Sequence, residues 1–338
     1  MKKVLFVGGT GTISTGIVKK LIESKEWDIY LLNRGSRNIF EGQVNQIVAD
    51  INNIDEVKNK LQGLKFDVIC EFIGFTKDQV ERDFNLFNGI TNQYIYISSA
   101  SAYNKPSDNY IITEKTPLNN PYWKYSRDKK ECEEYLMERF RKDNFPVTII
   151  RPSHTYDERN LPLAIHGKNG FWQVVKRMKE GKPVIVHGDG TSLWHLTFNS
   201  DFAVGFVGLM ANHRAIGEAF QITGDEVLTW NQIYKTIANE LGVKPNIYHV
   251  SSDFLASVGE DFDFEGSLLG DKAESVHFDN SKLKELVPEM KTNISFKEGV
   301  HIVLENAFKD KELQIEDPEF DLWCDRVIKV IEESKNKF

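Results

Sequence analysis

The sequence has 338 residues, enough for one large domain or two of medium size. Its 41% hydrophobic and 27% charged residues are ordinary for a globular protein, and no apolar run approaches the roughly 18 residues that span a bilayer, so we expect no membrane partner. The net charge of −8, without a basic stripe, makes nucleic acid an improbable ligand. Cys70, Cys132 and Cys324 fit no metal spacing and predict reduced thiols in a cytoplasmic protein without a metal site.

Through the first 150 residues, short apolar runs alternate with helical patterns. The predicted strands are Val4–Val7, Ile29–Leu32, Gln46–Val48, Val68–Ile73, Tyr94–Ile97 and Val147–Ile150. The predicted helices are Ile13–Ile22, Asp55–Leu61, Lys77–Phe87 and Lys124–Lys142. This alternation is typical of a parallel sheet covered on both faces, and the right-handed crossover rule makes it a doubly wound α/β sheet of the Rossmann type.

The second half of the sequence is less regular. Ser153–Gly170 resembles a loop, and Val184–Val186 is a short predicted strand. Helices are predicted at Phe171–Lys179, Asp201–Met210, Asn231–Leu241 and Asp321–Glu333. We therefore predict a dinucleotide-binding domain over residues 1–152 and a smaller, mainly substrate-binding domain over residues 153–338, with some later elements returning to the first sheet.

A glycine-rich turn follows the first predicted strand. Gly8 permits a tight turn, and Gly11 allows the backbone to approach a pyrophosphate at the start of the next helix. Ser14 replaces the usual third glycine but is small enough for close packing. The position of the turn at a strand–helix junction predicts a dinucleotide site. The expected contacts are Gly8, Thr10, Gly11, Thr12 and Ile13.

The end of the second predicted strand bears on the choice of cofactor. An acidic residue there would bind the ribose hydroxyl of NAD, but the sequence has Asn33 and Arg34. Arg34 either pairs with the 2′-phosphate of NADP or points into solvent. The sequence therefore favours NADP slightly and leaves NAD open. Asp50 and Ile51 are predicted near the adenine.

Tyr125 and Lys129 form a Tyr-x-x-x-Lys pair at the start of a predicted helix. Residues four apart share one helix face, so we expect the ammonium to lower the pKa of the phenol and to bind the nicotinamide ribose. Ser98 and Ser99 follow the strand Tyr94–Ile97. Hydroxyls at the carboxyl end of a parallel strand face the ligand crevice, where Ser99 could bind a substrate hydroxyl or carbonyl.

These motifs resemble those of the extended short-chain dehydrogenase/reductase superfamily, of the NAD(P)-dependent nucleotide-sugar epimerase/dehydratase type. The resemblance continues through Arg151-Pro152-Ser153-His154-Thr155-Tyr156 and, weakly, to Asp201-Phe202-Ala203. It implies that Ser99 is the catalytic hydroxyl, Tyr125 the base and Lys129 its partner. It also implies cofactor contacts from Phe72, Ile73, Gly74, Ser98, Pro152 and Ser153, besides Tyr125 and Lys129. His154 and Tyr156 follow at the expected mouth of the cleft and are predicted substrate contacts, with loop packing as the alternative.

The leading hypothesis is an enzyme that epimerises, dehydrates or reduces a nucleotide sugar. Dehydratases of the family carry Asp-Glu directly after the catalytic hydroxyl, whereas Ala100 and Ser101 follow Ser99, so epimerisation is favoured. One alternative is an NADPH-dependent reductase of another carbonyl substrate. Another is a non-catalytic dinucleotide sensor or RNA-binding relative, because the runs at 33–35 and 72–76 resemble an atypical subgroup that contains chloroplast stem-loop-binding proteins.

The predicted helix Lys124–Lys142 is highly charged beyond Lys129, and its apolar stripe is narrow. Family members often dimerise through this helix, but an obligate interface is richer in apolar residues. We therefore predict a monomer or a weak homodimer.

Overall fold

The computed structural model describes residues 1–35, 37 and 39–337 as an α/β fold. The strands are β1 (Lys2–Val7), β2 (Trp27–Asn33), β3 (Asn45–Val48), β4 (Val68–Glu71), β5 (Tyr94–Ile97), β6 (Ile111–Ile112), β7 (Val147–Pro152), β8 (His154–Tyr156), β9 (Val184–His187), β10 (Leu193–Phe198), β11 (Ala219–Ile222), β12 (Val227–Thr229), β13 (Ile247–Val250) and β14 (His277–Phe278). The helices are α1 (Thr12–Ser24), α2 (Ile54–Leu61), α3 (Lys77–Phe87), α4 (Lys124–Asp143), α5 (Trp172–Lys179), α6 (Asn199–Leu209), α7 (Trp230–Glu240), α8 (Ser252–Val258), α9 (Ser281–Leu286), α10 (Phe296–Lys309) and α11 (Pro318–Lys335). Within these described ranges, no helix combines the length and the apolar character needed to cross a membrane.

Seven parallel strands form the central sheet, in the order β11-β7-β5-β4-β1-β2-β3. The chain winds outward from β1 to β3 and then crosses to the other side of β1 to form β4, β5 and β7. The strand order therefore reverses between β1 and β4, and ligands of such sheets bind at the carboxyl ends of the strands beside this reversal. The predicted doubly wound parallel sheet is confirmed.

Strand β1 shows why these strands are continuous apolar runs. Val4 to Val7 are all inaccessible to solvent. Alternate side chains point to opposite faces, so Val4 and Phe6 enter a core with α1 and α6, while Leu5 and Val7 enter a second core with α2, α3 and α4. A strand covered on both faces has no polar side, which is why period-two alternation is missing.

Two segments differ from the sequence-based prediction. The predicted strand 68–73 ends at Glu71, where the side-chain oxygen Oε1 of Glu71 accepts the N–H of Ile73 at 2.6 Å and the chain leaves the sheet. The predicted loop 153–170 begins with β8, which pairs in parallel with β10. A three-residue strand is too short to show a periodic pattern.

Later parts of the chain complete the first sheet. β11 pairs with β7, and α6 packs on α1 so closely that a Cβ at Gly16 would lie 2.7 Å from the carbonyl oxygen of Asn199. The boundary at residue 152 stays a prediction, with α6, α9 and β11 on the side of the large sheet. The smaller sheets β12-β10-β8, β13-β9 and β14-β6 lie around a third core.

Candidate active site

The turn between β1 and α1 is shaped by a glycine and a serine. Gly8 has φ +85°, and a Cβ there would lie 2.6 Å from Cγ2 of Ile73, so a side chain is excluded. Ser14 Oγ accepts the N–H of Gly11 at 2.9 Å and donates to the carbonyl of Gly8 at 3.0 Å. The serine thus braces the turn, and the N-terminus of α1 at Thr12 offers an anion its backbone N–H groups.

A cavity of about 590 Å³ opens at the carboxyl ends of β1, β4, β5 and β7. Among its lining residues are the predicted Gly8, Thr10, Gly11, Thr12, Ile13, Phe72, Ile73, Ser98, Ser99, Tyr125, Lys129, Pro152, Ser153 and His154. The structure adds Ser14, Arg37, Phe75, Ile97 and Thr155, which the sequence analysis did not assign. The fold therefore gathers most of the predicted cofactor residues around one space, which we name the cofactor cavity.

Three buried polar atoms on residues that line the cofactor cavity lack a hydrogen-bond partner within the described part of the chain. They are Ser98 Oγ, His154 Nδ1 and Thr155 Oγ1. Buried polar groups are nearly always bonded, so these atoms are suited to a polar ligand. Together with the anion-binding turn and the apolar side chains of Ile13 and Phe72, they fit a dinucleotide.

Lys129 on α4 is only 1% exposed. Its Nζ donates to the carbonyls of Gly74 at 2.8 Å and Ile97 at 2.7 Å, between the rings of Tyr96 and Phe75. Burial lowers the pKa of Lys129 to about 8. An ammonium has three N–H donors, so one remains for a ligand in the cofactor cavity.

Tyr125 precedes Lys129 by one helical turn and, together with Ser99, lines both the cofactor cavity and its neighbour. Burial raises the pKa of Tyr125, and the interaction with Ser99 opposes that rise. The prediction that Lys129 lowers the pKa of this phenol is wrong in this structure. The ammonium is occupied by two carbonyls and lies 5.7 Å from the centroid of the tyrosine ring.

A chain of hydroxyl groups connects Ser99 to α4. Ser99 Oγ lies 2.9 Å from Ser101 Oγ, which accepts from Ser126 Oγ at 2.8 Å. Asn120 Nδ2 donates to the Ser101 carbonyl at 2.7 Å. Ser101 and Ser126 thus hold the predicted catalytic serine in place. The sequence signal for them was their position beside Ser99 and Tyr125.

A second cavity of about 280 Å³, named here the substrate cavity, adjoins the first. The two share Ser99, Tyr125, Pro152, Ser153 and His154. The other lining residues are Ala100, Ser101, Trp123, Trp194, Asp271, Lys272 and Phe278. Aromatic walls with a few polar groups are typical of small-molecule sites and suit the apolar faces and hydroxyls of a sugar ring.

The polar groups of the substrate cavity are mostly paired or neutral. Lys272 Nζ lies 3.1 Å from Asp271 Oδ2. Burial, with the nearby charges of Lys272 and His166, lowers the pKa of His154 well below its usual value, so the imidazole is neutral at pH 7. Trp194 Nε1 is buried and has no hydrogen-bond partner among the described residues. The cavity thus offers donors and acceptors without a large net charge.

Asp271 and Lys272 are the last two residues of a π-helical segment, Glu265–Lys272. This geometry is rare and is often found at functional sites. Distant residues hold this segment in place. Asn120 Nδ2 donates to the Gly270 carbonyl at 2.6 Å, and Trp123 Nε1 donates to Asp263 Oδ2 at 2.7 Å. The sequence analysis missed Asp271 and Lys272, because nothing local marks a charged pair as facing a cavity formed by distant chain segments.

Asn33 and Arg34, which are predicted to contact the ribose of the cofactor, line neither cavity. Asn33 Oδ1 accepts the N–H of Gly35 at 2.8 Å, and Arg34 is exposed beside this turn. Arg37 lines the cofactor cavity, whereas Arg34 does not. The assignment of Arg34 to the cofactor stays a prediction, and Arg37 is a second candidate.

Four more predicted residues lie outside both linings. Asp50 Oδ1 accepts the N–H of Asn52 at 2.9 Å, and Ile51 is buried in the core. Gly74 acts through its carbonyl, which holds Lys129. Tyr156 is 2% exposed and packs in the core against aromatic side chains of β10 and α10, so it is a packing residue here rather than a substrate contact.

Comparison with known proteins agrees with this geometry. Residues 4–223 match the profile of the NAD dependent epimerase/dehydratase family. The chain is 27% identical to the chloroplast stem-loop binding protein of 41 kDa b of Arabidopsis thaliana over 263 residues, 73% of this chain and just under two thirds (66%) of that protein. It is 22% identical to 2′-dehydrokanamycin reductase of Streptomyces kanamyceticus, over 78% of this chain and 73% of that protein.

Among solved structures, the UDP-glucuronic acid 4-epimerase of Bacillus cereus in complex with NAD is similar in fold, with a TM-score of 0.71. The two share 20% identity, and the alignment covers 93% of this chain and 100% of that one. At this identity the likeness establishes the fold alone.

Proposed function

Because the chain belongs to the NAD-dependent epimerase/dehydratase family, we propose that it is an NAD(P)-dependent epimerase that inverts a hydroxyl-bearing carbon in the sugar ring of a nucleotide sugar. The observation that supports this most is the wall shared by the two cavities, which includes Ser99, Tyr125 and His154. A ring in the substrate cavity meets the same tyrosine that faces the cofactor cavity. Proton and hydride transfer both require such proximity.

The cofactor cavity is proposed to hold a nicotinamide dinucleotide, with its pyrophosphate at the Gly8–Ser14 turn and its ribose beside Lys129. When bound, this cofactor supplies reversible hydride exchange. The family is NAD-dependent. We assign any preference for NADP to Arg37, whose guanidinium is the kind of group that binds a 2′-phosphate.

Tyr125 is proposed to act in its ionised form, in which the phenolate Oη takes the proton of the substrate hydroxyl and returns it in the reverse step. Burial raises the pKa of Tyr125, so the phenol must release its own proton to solvent before it can act as the base. Lys129, held by the carbonyls of Gly74 and Ile97, is proposed to bind the nicotinamide ribose with its remaining N–H. Ser99, fixed through Ser101, orients the substrate hydroxyl.

Epimerisation is proposed in preference to dehydration. Eliminating water needs an acid–base pair beyond the tyrosine, and Ala100 and Ser101 occupy the positions after Ser99. The carboxylate of Asp271 does face the substrate cavity, but it is paired with Lys272.

The test is incubation of the purified protein with single nucleoside-diphosphate hexoses and a catalytic amount of NAD, followed by proton NMR. We expect one sugar to convert to its epimer without net reduction of the cofactor. Loss of water from the sugar, or stoichiometric reduction of NAD, would refute the epimerase assignment.

A second candidate is an NADPH-dependent reductase of a carbonyl compound that carries positive charge. A groove of about 440 Å³ beyond Trp123 is lined by Asp253, Glu260, Asp263 and Glu265. These carboxylates would repel a diphosphate and attract an amino group. The Streptomyces relative is named as a reductase. Stoichiometric NADPH oxidation with a cationic sugar ketone would select this candidate.

A non-catalytic role in binding RNA receives less support. The net charge of −8 disfavours a polyanion, and the tyrosine and lysine of the proposed site are both in place.

We also propose a monomer or weak homodimer, because the outer face of α4 carries ion pairs such as Lys130–Glu134 and Glu138–Lys142. A stable dimer at nanomolar concentration in mass photometry would contradict this.

A further inference from the structure

Glu71, the last residue of β4, is completely inaccessible to solvent. Its Oε1 accepts the N–H of Ile73 at 2.6 Å. Its Oε2 meets no donor among the residues that the structure describes. A buried carboxylate normally has donors for both oxygens, since an unpaired charge in the interior is costly. The bonding of this side chain therefore needs an explanation.

Asp83 on α3 provides it. Asp83 Oδ1 accepts from the guanidinium of Arg82 at 2.7 Å, and Oδ2 accepts from the hydroxyl of Tyr94 at 3.0 Å. Besides burial, Asp83 is the neighbour whose charge and hydrogen bonding raise the pKa of Glu71, and two carboxyl groups can bond to each other only when one of them holds a proton. Because Asp83 already binds a cation and a donor, the proton belongs to Glu71. Burial, reinforced by the charge of Asp83, accordingly raises the pKa of Glu71 well above its usual value.

The segment that Glu71 binds contacts two parts of the cofactor cavity. Ile73 packs against Gly8 in the phosphate-binding turn. The carbonyl of Gly74 accepts from Lys129 Nζ at 2.8 Å and from the Tyr96 hydroxyl at 3.0 Å. A shift of this segment would therefore move Ile73 away from Gly8 and move the Gly74 carbonyl away from the ammonium of Lys129.

We propose that Glu71 is a positioning residue for cofactor binding, which accepts from Ile73, donates to Asp83 and so fixes the Ile73–Gly74 segment under the dinucleotide. This rests on the proposed function only in that the cavity binds a nicotinamide dinucleotide. It does not depend on the sugar or on the reaction.

The carboxyl group must keep its proton to act in this way. The titratable and charged groups that face it are Cys70 on β4, Arg82 and Asp83 on α3, Tyr94 on β5 and Lys129 on α4. Ionisation of Glu71 at high pH would place two carboxylates side by side and remove the donor to Asp83. Cofactor affinity is therefore expected to fall in alkaline solution through Glu71 as well as through Lys129. A glutamine at position 71 accepts and donates hydrogen bonds without titrating, so it removes the contribution of Glu71 to this loss and leaves that of Lys129.

The experiment compares Glu71→Gln and Glu71→Met with the wild type by calorimetric titration of NAD and NADP at pH 7. We expect Glu71→Gln to keep the affinity and Glu71→Met to lose about tenfold, the scale of an unmet buried hydrogen bond. Asp317→Asn is the matched control, because Asp317 is also buried but accepts the N–H of Phe320 and lines neither cavity.

The proposal is overturned by a loss of affinity in Glu71→Gln as large as that in Glu71→Met, by unchanged affinity in Glu71→Met, or by wild-type protein that binds no dinucleotide. If Glu71→Met does not fold, Glu71→Gln decides, because a lowered affinity of this variant at pH 7 overturns the proposal. Failure to epimerise any sugar would refute the proposed function and leave these binding results standing.

Discussion

The two cavities of the active site differ in how the chain builds them. The cofactor cavity is formed where parallel strands end, at Gly8–Ser14, Phe72–Phe75 and Ile97–Ser99. The substrate cavity takes its outer wall from Trp194, the π-helical segment and Phe278. The first geometry is set by the sheet, whereas the second depends on contacts between distant segments. Asp271, Lys272 and Phe278 also lie outside the family match at 4–223, so we expect substrate selectivity to reside there.

The largest effect is expected from a substitution of Tyr125, in the wall that both cavities share. Tyr125→Phe keeps the ring and removes only the ionisable oxygen. We expect turnover on an identified substrate to fall by roughly 10²- to 10⁴-fold, the scale of general acid–base catalysis, with cofactor affinity nearly unchanged. Tyr122→Phe is the control, because Tyr122 lies three residues upstream outside both linings. Full activity in Tyr125→Phe, or none in Tyr122→Phe, would show that the site is misassigned.

A change in the cofactor cavity alone should alter cofactor choice and leave the substrate unaffected. Arg37→Ala is expected to weaken NADP relative to NAD by about 1–3 kcal/mol, the loss of a charge-assisted hydrogen bond. Arg34→Ala, next to the same turn but outside the lining, should not. Dissociation constants for the two cofactors decide. A larger effect from Arg34 would favour the assignment made from sequence.

A change in the substrate cavity alone should weaken substrate binding and leave cofactor binding unaffected. Lys272→Met is expected to raise KM for the sugar by roughly tenfold, since a donor to the substrate is lost, while the cofactor constants stay fixed. Lys284→Met is the control, because Lys284 forms a surface pair with Asp225. Steady-state kinetics with saturating cofactor measures both. Weaker cofactor binding in Lys272→Met would mean that the two cavities are not independent.

The smallest expected effect concerns acid stability of the substrate side. Burial lowers the pKa of His187, whose Nε2 bonds to the Lys272 carbonyl, to about 4. Between its ordinary pKa and pH 4 the unfolded chain binds a proton that the folded chain does not. Folding is therefore destabilised as pH falls, by at most about 1.4 kcal/mol per pH unit.

His187→Gln should reduce the drop in Tm between pH 7 and pH 5, and His213→Gln, at an exposed site, should leave it unchanged. Thermal unfolding at the two pH values makes the comparison. A drop in His187→Gln equal to that of the wild type would show that this histidine does not limit stability in acid.

How much could be predicted from sequence follows the same division. The turn at Gly8–Ser14 and the Tyr125–Lys129 pair are local patterns. The parallel sheet brings them together, and this does not depend on the conformations of the connecting loops. Asp271 and Lys272 could not be found in this way, because their place in the cavity depends on contacts such as that of Asn120 with Gly270, far apart in the chain. The choice between Arg34 and Arg37 could not be made from sequence either, because the two residues are of the same type and only the folded structure shows that Arg37 lines the cavity.

The position of β11 has a consequence for biosynthesis. This strand pairs with β7, yet the ribosome adds it only after the whole stretch that contains β8, α5, β9, β10 and α6. Until Ile222 has emerged, β7 is an open edge, and the face of α1 that α6 covers is exposed to water. A fragment ending at residue 152 would remain in that state, so it is expected to aggregate rather than to fold as a free-standing nucleotide-binding unit.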